Sequence, residues 1–176
     1  MVGGSLTRST HPLRQLTRLA PLVAALGLLA CESDAGDDAA AADASRGDAL
    51  LAFTCKGSVH KASKLVDPLK GIVYGNLFLS EDVGVAGPIA DAPEFGAVEV
   101  KGLDLVGDGT VAGAFRTPKL NPGLYTFLGF FDVDANGGET KDPDAGDPVT
   151  LAITNKFKIE AGKTTAYTVT FDLVLN

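Results

Sequence analysis

The chain has 176 residues, of which 22 are acidic and 15 basic, and its formal net charge is −7 at pH 7. Without residues 1–30, which hold three arginines and no acid, 12 basic residues face 22 acidic ones and the net charge is −10. Neutralising nucleic-acid phosphates needs clustered lysine and arginine, so this charge balance argues against nucleic acid as a partner.

The first thirty residues have the pattern of an export signal. Arg8, Arg14 and Arg18 precede an apolar run, residues 19–30, that is too short to span a bilayer comfortably as a mature helix. The run ends in Leu28-Leu29-Ala30-Cys31, which resembles the lipobox of bacterial lipoproteins. The resemblance implies that Cys31 is lipidated, becomes the new N-terminus and anchors the chain in a membrane. The alternative is an ordinary secretory signal, cleaved nearby, that leaves Cys31 as a plain thiol.

Residues 31–49 are predicted to be a disordered acidic linker. They contain no aromatic or β-branched residue and many acids, so they cannot bury enough apolar surface to offset the entropy of ordering. Glu32, directly after Cys31, differs from the aspartate that the lipoprotein resemblance links to inner-membrane retention. The expected location is therefore the outer membrane, with the domain facing the periplasm or the cell surface.

Only two cysteines occur, Cys31 and Cys55. If Cys31 carries lipid, Cys55 has no internal partner, and we expect a buried, inert thiol on the first strand. A Cys31–Cys55 disulfide is the alternative if the lipobox interpretation is wrong.

The sequence shows no catalytic constellation. His60 lies at an odd offset from Cys55, on the opposite strand face, and the sequence contains no Gly-x-Ser-x-Gly elbow or zinc-binding histidine pair. We therefore do not expect an enzyme.

Residues 50–176 are predicted to form one all-β domain, an antiparallel β-sandwich of about seven strands. The candidate strands are Leu51–Val59, Gly71–Ser80, Ala97–Leu105, Val111–Thr117, Leu124–Val133, Val149–Ile159 and Thr164–Leu175. The last one alternates most clearly, with Val169, Phe171 and Leu173 on the predicted buried face. The strand at Leu124–Val133 is apolar on both faces, which predicts a central position or cover on both sides. Val149–Ile159 is expected to bend or break near Asn155.

Two segments of this domain resemble a known family. "LNPGLYTFLGFFDVDANGG" (residues 120–138) and "IEAGKTTAYTVTFDL" (residues 159–173) are similar to transthyretin-like, or prealbumin-like, β-sandwich modules, which include the carboxypeptidase regulatory-like domains of bacterial surface proteins. The resemblance covers residues 120–176. It implies a β-sandwich that serves as a structural or binding module rather than as an active site.

Charge is concentrated between the two clearest strands. Residues 130–148 hold six acids and one base, Lys141, for a formal charge of −5. Crowded carboxylates repel one another unless a cation neutralises them, and calcium is the hard cation expected outside the cytoplasm. Asp132-x-Asp134-x-Asn136-Gly137 has the spacing that opens a calcium loop. It is not an EF-hand, because the twelfth position is Pro143 rather than glutamate.

The calcium ligands predicted from this pattern are Asp132, Asp134, Asn136, Asp142 and Asp147, with Asp144 as an additional ligand. The alternative is a solvated acidic turn, since Asp, Asn, Gly and Pro are the ordinary residues of exposed turns.

Two function classes remain after these exclusions. The first is a structural or interaction module of the cell envelope whose loop is held by calcium and whose partner is another envelope protein or a glycan. The second is a small-ligand or carbohydrate-binding module. Sugar binding usually needs exposed aromatic platforms, but Trp is absent, and Tyr74, Tyr125 and Tyr167 fall within strands where core packing is expected. The pattern therefore favours the first class.

Overall fold

Strands make up most of the chain where the computed structural model describes it, namely residues 42–62, 69–105, 111–138 and 140–176. The strands of these ranges are, in chain order, β1 (Asp48–Cys55), β2 (Leu69–Leu79), β3 (Val83–Gly84), β4 (Gly87–Pro88), β5 (Ala97–Leu105), β6 (Ala112–Arg116), β7 (Gly123–Asp132), β8 (Pro148–Val149), β9 (Lys156–Ile159), β10 (Thr164–Phe171) and β11 (Leu173–Val174). A short helix, α1 (Gly57–Ala62), follows β1, and a 3-10 turn at Ser80–Asp82 follows β2. The predicted signal peptide, Cys31 and linker residues 31–41 lie outside the described residues. Within those residues no helix is long and apolar enough to cross a membrane.

The strands form two main sheets. The larger has the order β11-β8-β7-β2-β5, with β9 also paired to β7, and the smaller has the order β10-β1-β6. A separate short hairpin joins β3 to β4. Strand β7 lies between β2 on one side and β8 and β9 on the other, which confirms the central position predicted from its two apolar faces.

The two sheets pack face to face around one aromatic core. Phe53 of the smaller sheet lies 6.0 Å from Phe127 of the larger one, measured between ring centroids, and Phe171 lies 6.0 Å from Phe131. All four rings are fully buried. Aromatic pairs at this separation add to the burial of their surface, and the predicted all-β sandwich is confirmed.

The strand directions differ from the prediction at one pair. Strands β1 and β10 run parallel over eight paired residues, from Asp48↔Thr164 to Cys55↔Phe171, whereas a wholly antiparallel sandwich was expected. Parallel neighbours need a long connection between them, and here nearly the whole domain lies between the two strands. Alternation of buried and exposed residues looks the same in either strand direction, so the sequence pattern could not reveal this pairing.

The folded part begins before the predicted boundary at residue 50. Strand β1 starts at Asp48, and Gly47 bridges to Leu120. The side chain of Asp48 is buried and forms ion pairs with Arg116 at 3.3 Å and Lys119 at 3.4 Å. The last residues of the predicted linker are therefore part of the fold, because an ion pair compensates for burying the Asp48 carboxylate.

The predicted strand Leu51–Val59 is shorter than expected. It ends at Cys55, and Val59 is a buried residue of helix α1 instead. Four to eight apolar residues bounded by a turn do not distinguish strand from short helix by periodicity alone. Cys55 itself is a free cysteine with 1% of its surface exposed, which confirms the buried thiol predicted on the first strand.

Both C-terminal candidate strands are interrupted. The predicted Val149–Ile159 is split into β8 and β9, as expected, and the break is held by Asn155, which donates to the carbonyl oxygen of Thr170 at 2.9 Å and accepts from its N–H at 2.8 Å. The strand predicted at Thr164–Leu175 breaks at Asp172. Val169 and Phe171 are buried as expected, but Leu173, beyond the break, is exposed.

Candidate metal centre in the β7–β8 loop

The acidic residues of interest lie where the central strand ends. Asp132 is the last residue of β7 and pairs with Ile72 of β2. Side chains alternate along a strand, so Asp132 points away from the core side that Phe131 occupies. Nevertheless Asp132 is 0% exposed. The same is true of Asp147, which directly precedes β8.

Three carboxylates of this loop converge. One oxygen each from Asp132, Asp134 and Asp147 lies within 4.8 Å of the others. Calcium holds its oxygen ligands at about 2.3–2.6 Å, so two oxygens on opposite sides of one ion are about 5 Å apart. The three carboxylates therefore have the spacing of ligands to a single divalent cation.

Backbone hydrogen bonds hold the two buried carboxylates in position. Asp132 accepts from the N–H of Asn136 at 3.2 Å through Oδ1 and from the N–H of Gly137 at 3.0 Å through Oδ2. Asp147 accepts from Val133 at 3.2 Å and from Asp144 at 3.1 Å. Each carboxylate oxygen has two acceptor sites, so every oxygen retains one site for a cation.

Local backbone chemistry explains why the loop can close in this way. A Cβ on Gly137 would lie 2.9 Å from Oδ2 of Asp132, so a larger residue there would displace the carboxylate from the Gly137 N–H. Ala135 has a positive φ of 58°, an uncommon conformation for a residue other than glycine. The expected sharp bend therefore lies at residues 133–135, with its positive φ at Ala135 rather than at the predicted Gly137, and Gly137 instead accommodates the Asp132 carboxylate.

The other predicted ligands occupy an outer layer. Asn136 donates through Nδ2 to Asp134 at 3.0 Å and to Asp144 at 2.7 Å, so its amide bridges two acids and presents no oxygen to them. Rotation of that amide would turn its carbonyl oxygen toward the acids. Asp144 is exposed and contacts the cluster through Asn136, through its own backbone N–H and through its carbonyl oxygen, which accepts from the N–H of Asp147 at 3.2 Å. Asp142 is exposed and is not part of the converging group.

The environment of Asp147 disfavours its charged form. Burial raises the pKa of this carboxyl above its ordinary value of 3.8, two backbone N–H groups lower the pKa in part, and the nearby Asp144 and Asp132 carboxylates raise it further. The buried acid therefore lies among like charges. A bound cation would stabilise the Asp147 carboxylate and so offset the cost of burying it beside like charges.

The raised pKa of Asp147 predicts a measurable pH dependence. Folded Asp147 retains its proton to a higher pH than unfolded Asp147 does, so in calcium-depleted buffer its contribution to stability falls as pH rises from about 4 through the raised pKa. The free energy of unfolding of the wild type, relative to Asp147→Asn, should decrease over that window. With saturating calcium this decrease should disappear. The measurement is urea unfolding at a series of pH values, and parallel wild-type and variant curves in calcium-depleted buffer would contradict the prediction.

A second feature lies beside the candidate metal centre, on the outer face of the larger sheet. Tyr74 of β2 and Phe130 of β7 are both buried there, with ring centroids 5.5 Å apart. Lys141 of the acidic loop lies over Tyr74, its Nζ 5.4 Å from the ring centroid, and pairs with Glu99 of β5 at 3.0 Å. Tyr74, Phe130 and Lys141 border a cavity of about 420 Å³.

This cavity was not predicted from the sequence. Tyr74 was assigned to the core, and it is buried as expected, but on the outer face of the sheet. The signal that could have located the cavity is the apolar outer row of β7, Leu128 and Phe130, which must be covered by another part of the chain.

Comparisons of the chain with protein-family models, curated proteins and solved structures found no match.

Proposed function

We propose that the chain is an envelope-anchored, non-catalytic β-sandwich module of the transthyretin-like kind, and that its β7–β8 loop binds one calcium ion. The observation that carries the proposal is the convergence of Asp132, Asp134 and Asp147, two of which are fully buried. The lipid anchor at Cys31, the outer-membrane location and the family assignment enter through the sequence patterns alone.

The charge of the cluster supports a cation. Buried carboxylates are costly unless they are paired or coordinate a metal. Lys141 is the only base within residues 130–148, and its ammonium group is 3.0 Å from Glu99 rather than among the three aspartates. Over the described part of the chain, no ion pair connects Asp132, Asp134 or Asp147 to a lysine or arginine. No described side chain therefore neutralises the three aspartates, and a bound cation would do so.

The ligand chemistry favours calcium among the common cations. All three converging groups are carboxylates, and hard oxygen ligands suit calcium, magnesium and manganese rather than copper or zinc. The loop is closed mostly by single hydrogen bonds to backbone N–H groups, and calcium tolerates such adaptable geometry, whereas magnesium demands a near-ideal octahedron. Backbone carbonyls and water would complete the six to eight ligands.

The state of Cys55, the one free cysteine in the described residues, favours a binding role over catalysis by a thiol. Burial raises the pKa of the Cys55 thiol to about 12. A thiol with this pKa is protonated at neutral pH, and the thiolate is the reactive form. Cys55 therefore serves as a small apolar residue of the buried core, together with Phe53, and not as a nucleophile.

Thermal unfolding tests the calcium site. For a dissociation constant in the range of about 10⁻⁴–10⁻³ M, 5 mM calcium should stabilise the folded protein by about 1–2 kcal/mol and raise the Tm by about 4–8 °C. The variant Asp132→Ala plus Asp134→Ala should lose this rise. Differential scanning calorimetry with calcium and with chelator measures both proteins.

The matched control is Asp142→Ala. It removes one of the loop's negative charges, where the double variant removes two, but Asp142 is exposed and lies outside the converging group. The control should therefore retain most of the calcium-induced rise. Identical wild-type curves with calcium and with chelator would exclude the site, and loss of the rise in the control would point to a diffuse charge effect.

A further inference from the structure

One edge of the smaller sheet is unpaired in the described part of the chain. Strand β10 pairs with β1 on one side, and no described strand pairs with its other side. Strand β9 lies nearby, but it is joined to β10 by the hydroxyl of Thr165, which donates to the carbonyl oxygen of Lys158 at 2.8 Å, and not by a backbone ladder. Thr164, Ala166 and Thr168 are exposed. An unpaired strand edge presents N–H and C=O groups to which another strand can bond.

The ladder with β1 uses the backbone groups of alternate β10 residues. It begins where the N–H of Asp48 donates to the carbonyl oxygen of Lys163 at 3.0 Å. The two strands then pair over eight residues without a register shift, so the odd-numbered residues of β10 bond to β1 and the even-numbered ones face away from it. Thr170 follows this rule, because its N–H and its carbonyl oxygen bond to the side chain of Asn155 rather than to β1. The backbone groups of residues 164, 166 and 168 therefore point to the open edge.

The other outer strands of the two sheets carry features that discourage pairing with a further strand. Strand β5 bears Glu99, Lys101 and Asp104, and its register with β2 shifts. Strand β6 has five residues and a register shift against β1. Strands β9 and β11 have four and two residues, and β9 bears two lysines. Strand β10, by contrast, has eight residues in one continuous register and contains no charged residue and no proline.

We infer that β10 pairs antiparallel with β10 of a second copy of the chain, which joins the two three-stranded sheets into one. Ala166 then lies on a two-fold axis, opposite Ala166 of the second copy, and Thr164 lies opposite Thr168 of the second copy. These are hydrogen-bonded pairs, because the backbone groups of all three residues face outward. Asn155 already occupies the backbone groups of Thr170, so the pairing ends at Thr168.

The charge of the chain favours this place for a contact between two copies. Without residues 1–30 the net charge is −10, so two copies repel each other wherever their acids face one another. Along β10 no charged residue meets its counterpart, and threonine pairs across two strands are favourable. Five paired residues extend over only about 17 Å. Such a contact buries less than the roughly 1,600 Å² of a standard stable interface, so we expect a dimer that dissociates on dilution.

Cysteine pairs test the register in the full-length protein. In the proposed pairing, Thr164 and Thr168 of different copies have Cα atoms about 5.5 Å apart, whereas two Thr164 residues are about 13–14 Å apart. A disulfide needs Cα atoms within about 7 Å. An oxidised mixture of Thr164→Cys and Thr168→Cys should therefore give at least about fivefold more linked dimer than either variant alone. The wild type, which holds Cys31 and Cys55, measures the background on the same non-reducing gel.

A charge at the two-fold axis tests the same contact without new cysteines. In sedimentation experiments with chelator present, the average mass of the wild type should rise from one chain toward two between micromolar and millimolar concentration. Ala166→Lys places two ammonium groups opposite each other and should hold the mass at one chain. Ala114→Lys, at an exposed position of β6, adds the same charge to the other outer strand of this sheet and should dimerise like the wild type. Both substituted positions are exposed, so both variants should keep the wild-type Tm.

The dimer is excluded if the wild type sediments as one chain at millimolar concentration. Self-linking of Thr164→Cys as efficient as that of the mixture would rule out the antiparallel register centred on Ala166. Equal loss of mass in Ala166→Lys and Ala114→Lys would show that the copies meet elsewhere. The cysteine mixture decides the proposal by itself if Ala166→Lys fails to fold.

Discussion

Replacing Gly71 by alanine should destabilise the protein by about 3 kcal/mol or more. Gly71 lies on β2 where β2 passes the end of β7, and a Cβ there would be 2.0 Å from the carbonyl oxygen of Asp132 and 2.9 Å from its carbonyl carbon. Both atoms are backbone, so a rotamer change cannot relieve the conflict. The strands would have to separate at the end of β7, where Asp132 begins the cluster of converging aspartates.

The same substitution should also weaken calcium binding, because the end of β7 positions the Asp132 side chain. Urea unfolding with and without calcium measures both effects. Gly84→Ala on β3 is the matched control: its Cβ would meet no atom closer than 3.6 Å, which is ordinary van der Waals contact. A variant at Gly71 that is as stable as this control would contradict the close approach of β2 and β7.

Replacing Asp172 by alanine should cost about 2–4 kcal/mol of stability. The Asp172 side chain is 1% exposed and forms an ion pair with Lys56. It also accepts hydrogen bonds from the N–H of Leu151 at 3.3 Å, from the hydroxyl of Thr154 and, at 3.5 Å, from the amide of Asn155. These contacts tie the break between β10 and β11 to the turn before β9. The variant would remove the buried acceptor of the Leu151 N–H and the ion-pair partner of Lys56, while Thr154 and Asn155 would keep their acceptors at the carbonyl oxygens of Leu151 and Thr170.

The control for this prediction is Asp104→Ala on β5. Asp104 also forms an ion pair, with Lys70 at 3.7 Å, but half of its side chain is exposed, and exposed pairs contribute about 0–1 kcal/mol. Denaturant unfolding of the two variants should therefore differ by at least about 1 kcal/mol. Equal losses in the two variants would mean that the buried network around Asp172 contributes nothing beyond an ordinary surface pair.

The strands could be predicted because burial imposes a period of two on their residues. Strand β5 was predicted at Ala97–Leu105, the range that it occupies, and β7 was shifted by one residue at each end. The parallel neighbours β1 and β10 could not be predicted, because alternation carries no information on direction. Helix α1 was missed because a single helical turn and a half is too short to show periodicity.

The candidate site could likewise be predicted only in part. Composition and spacing indicated which loop gathers acids, but not which acids meet. Asp147 joins Asp132 because it directly precedes β8, which pairs with β7 through Phe130 and Val149. Asp142 has the same chemistry and lies in the same loop, yet it is exposed. Convergence therefore depends on strand pairing between distant segments, which local sequence does not encode.

The most direct test of the metal centre is a calcium titration followed by the amide resonances of ¹⁵N-labelled protein. The amides of Val133, Asn136, Gly137 and Asp144, which donate to the converging carboxylates, should shift together and saturate with one dissociation constant of about 10⁻⁴–10⁻³ M. These shifts should vanish in the variant Asp132→Ala plus Asp134→Ala. Shifts that never saturate and are spread over exposed acids such as Asp91 would contradict a calcium site in this loop.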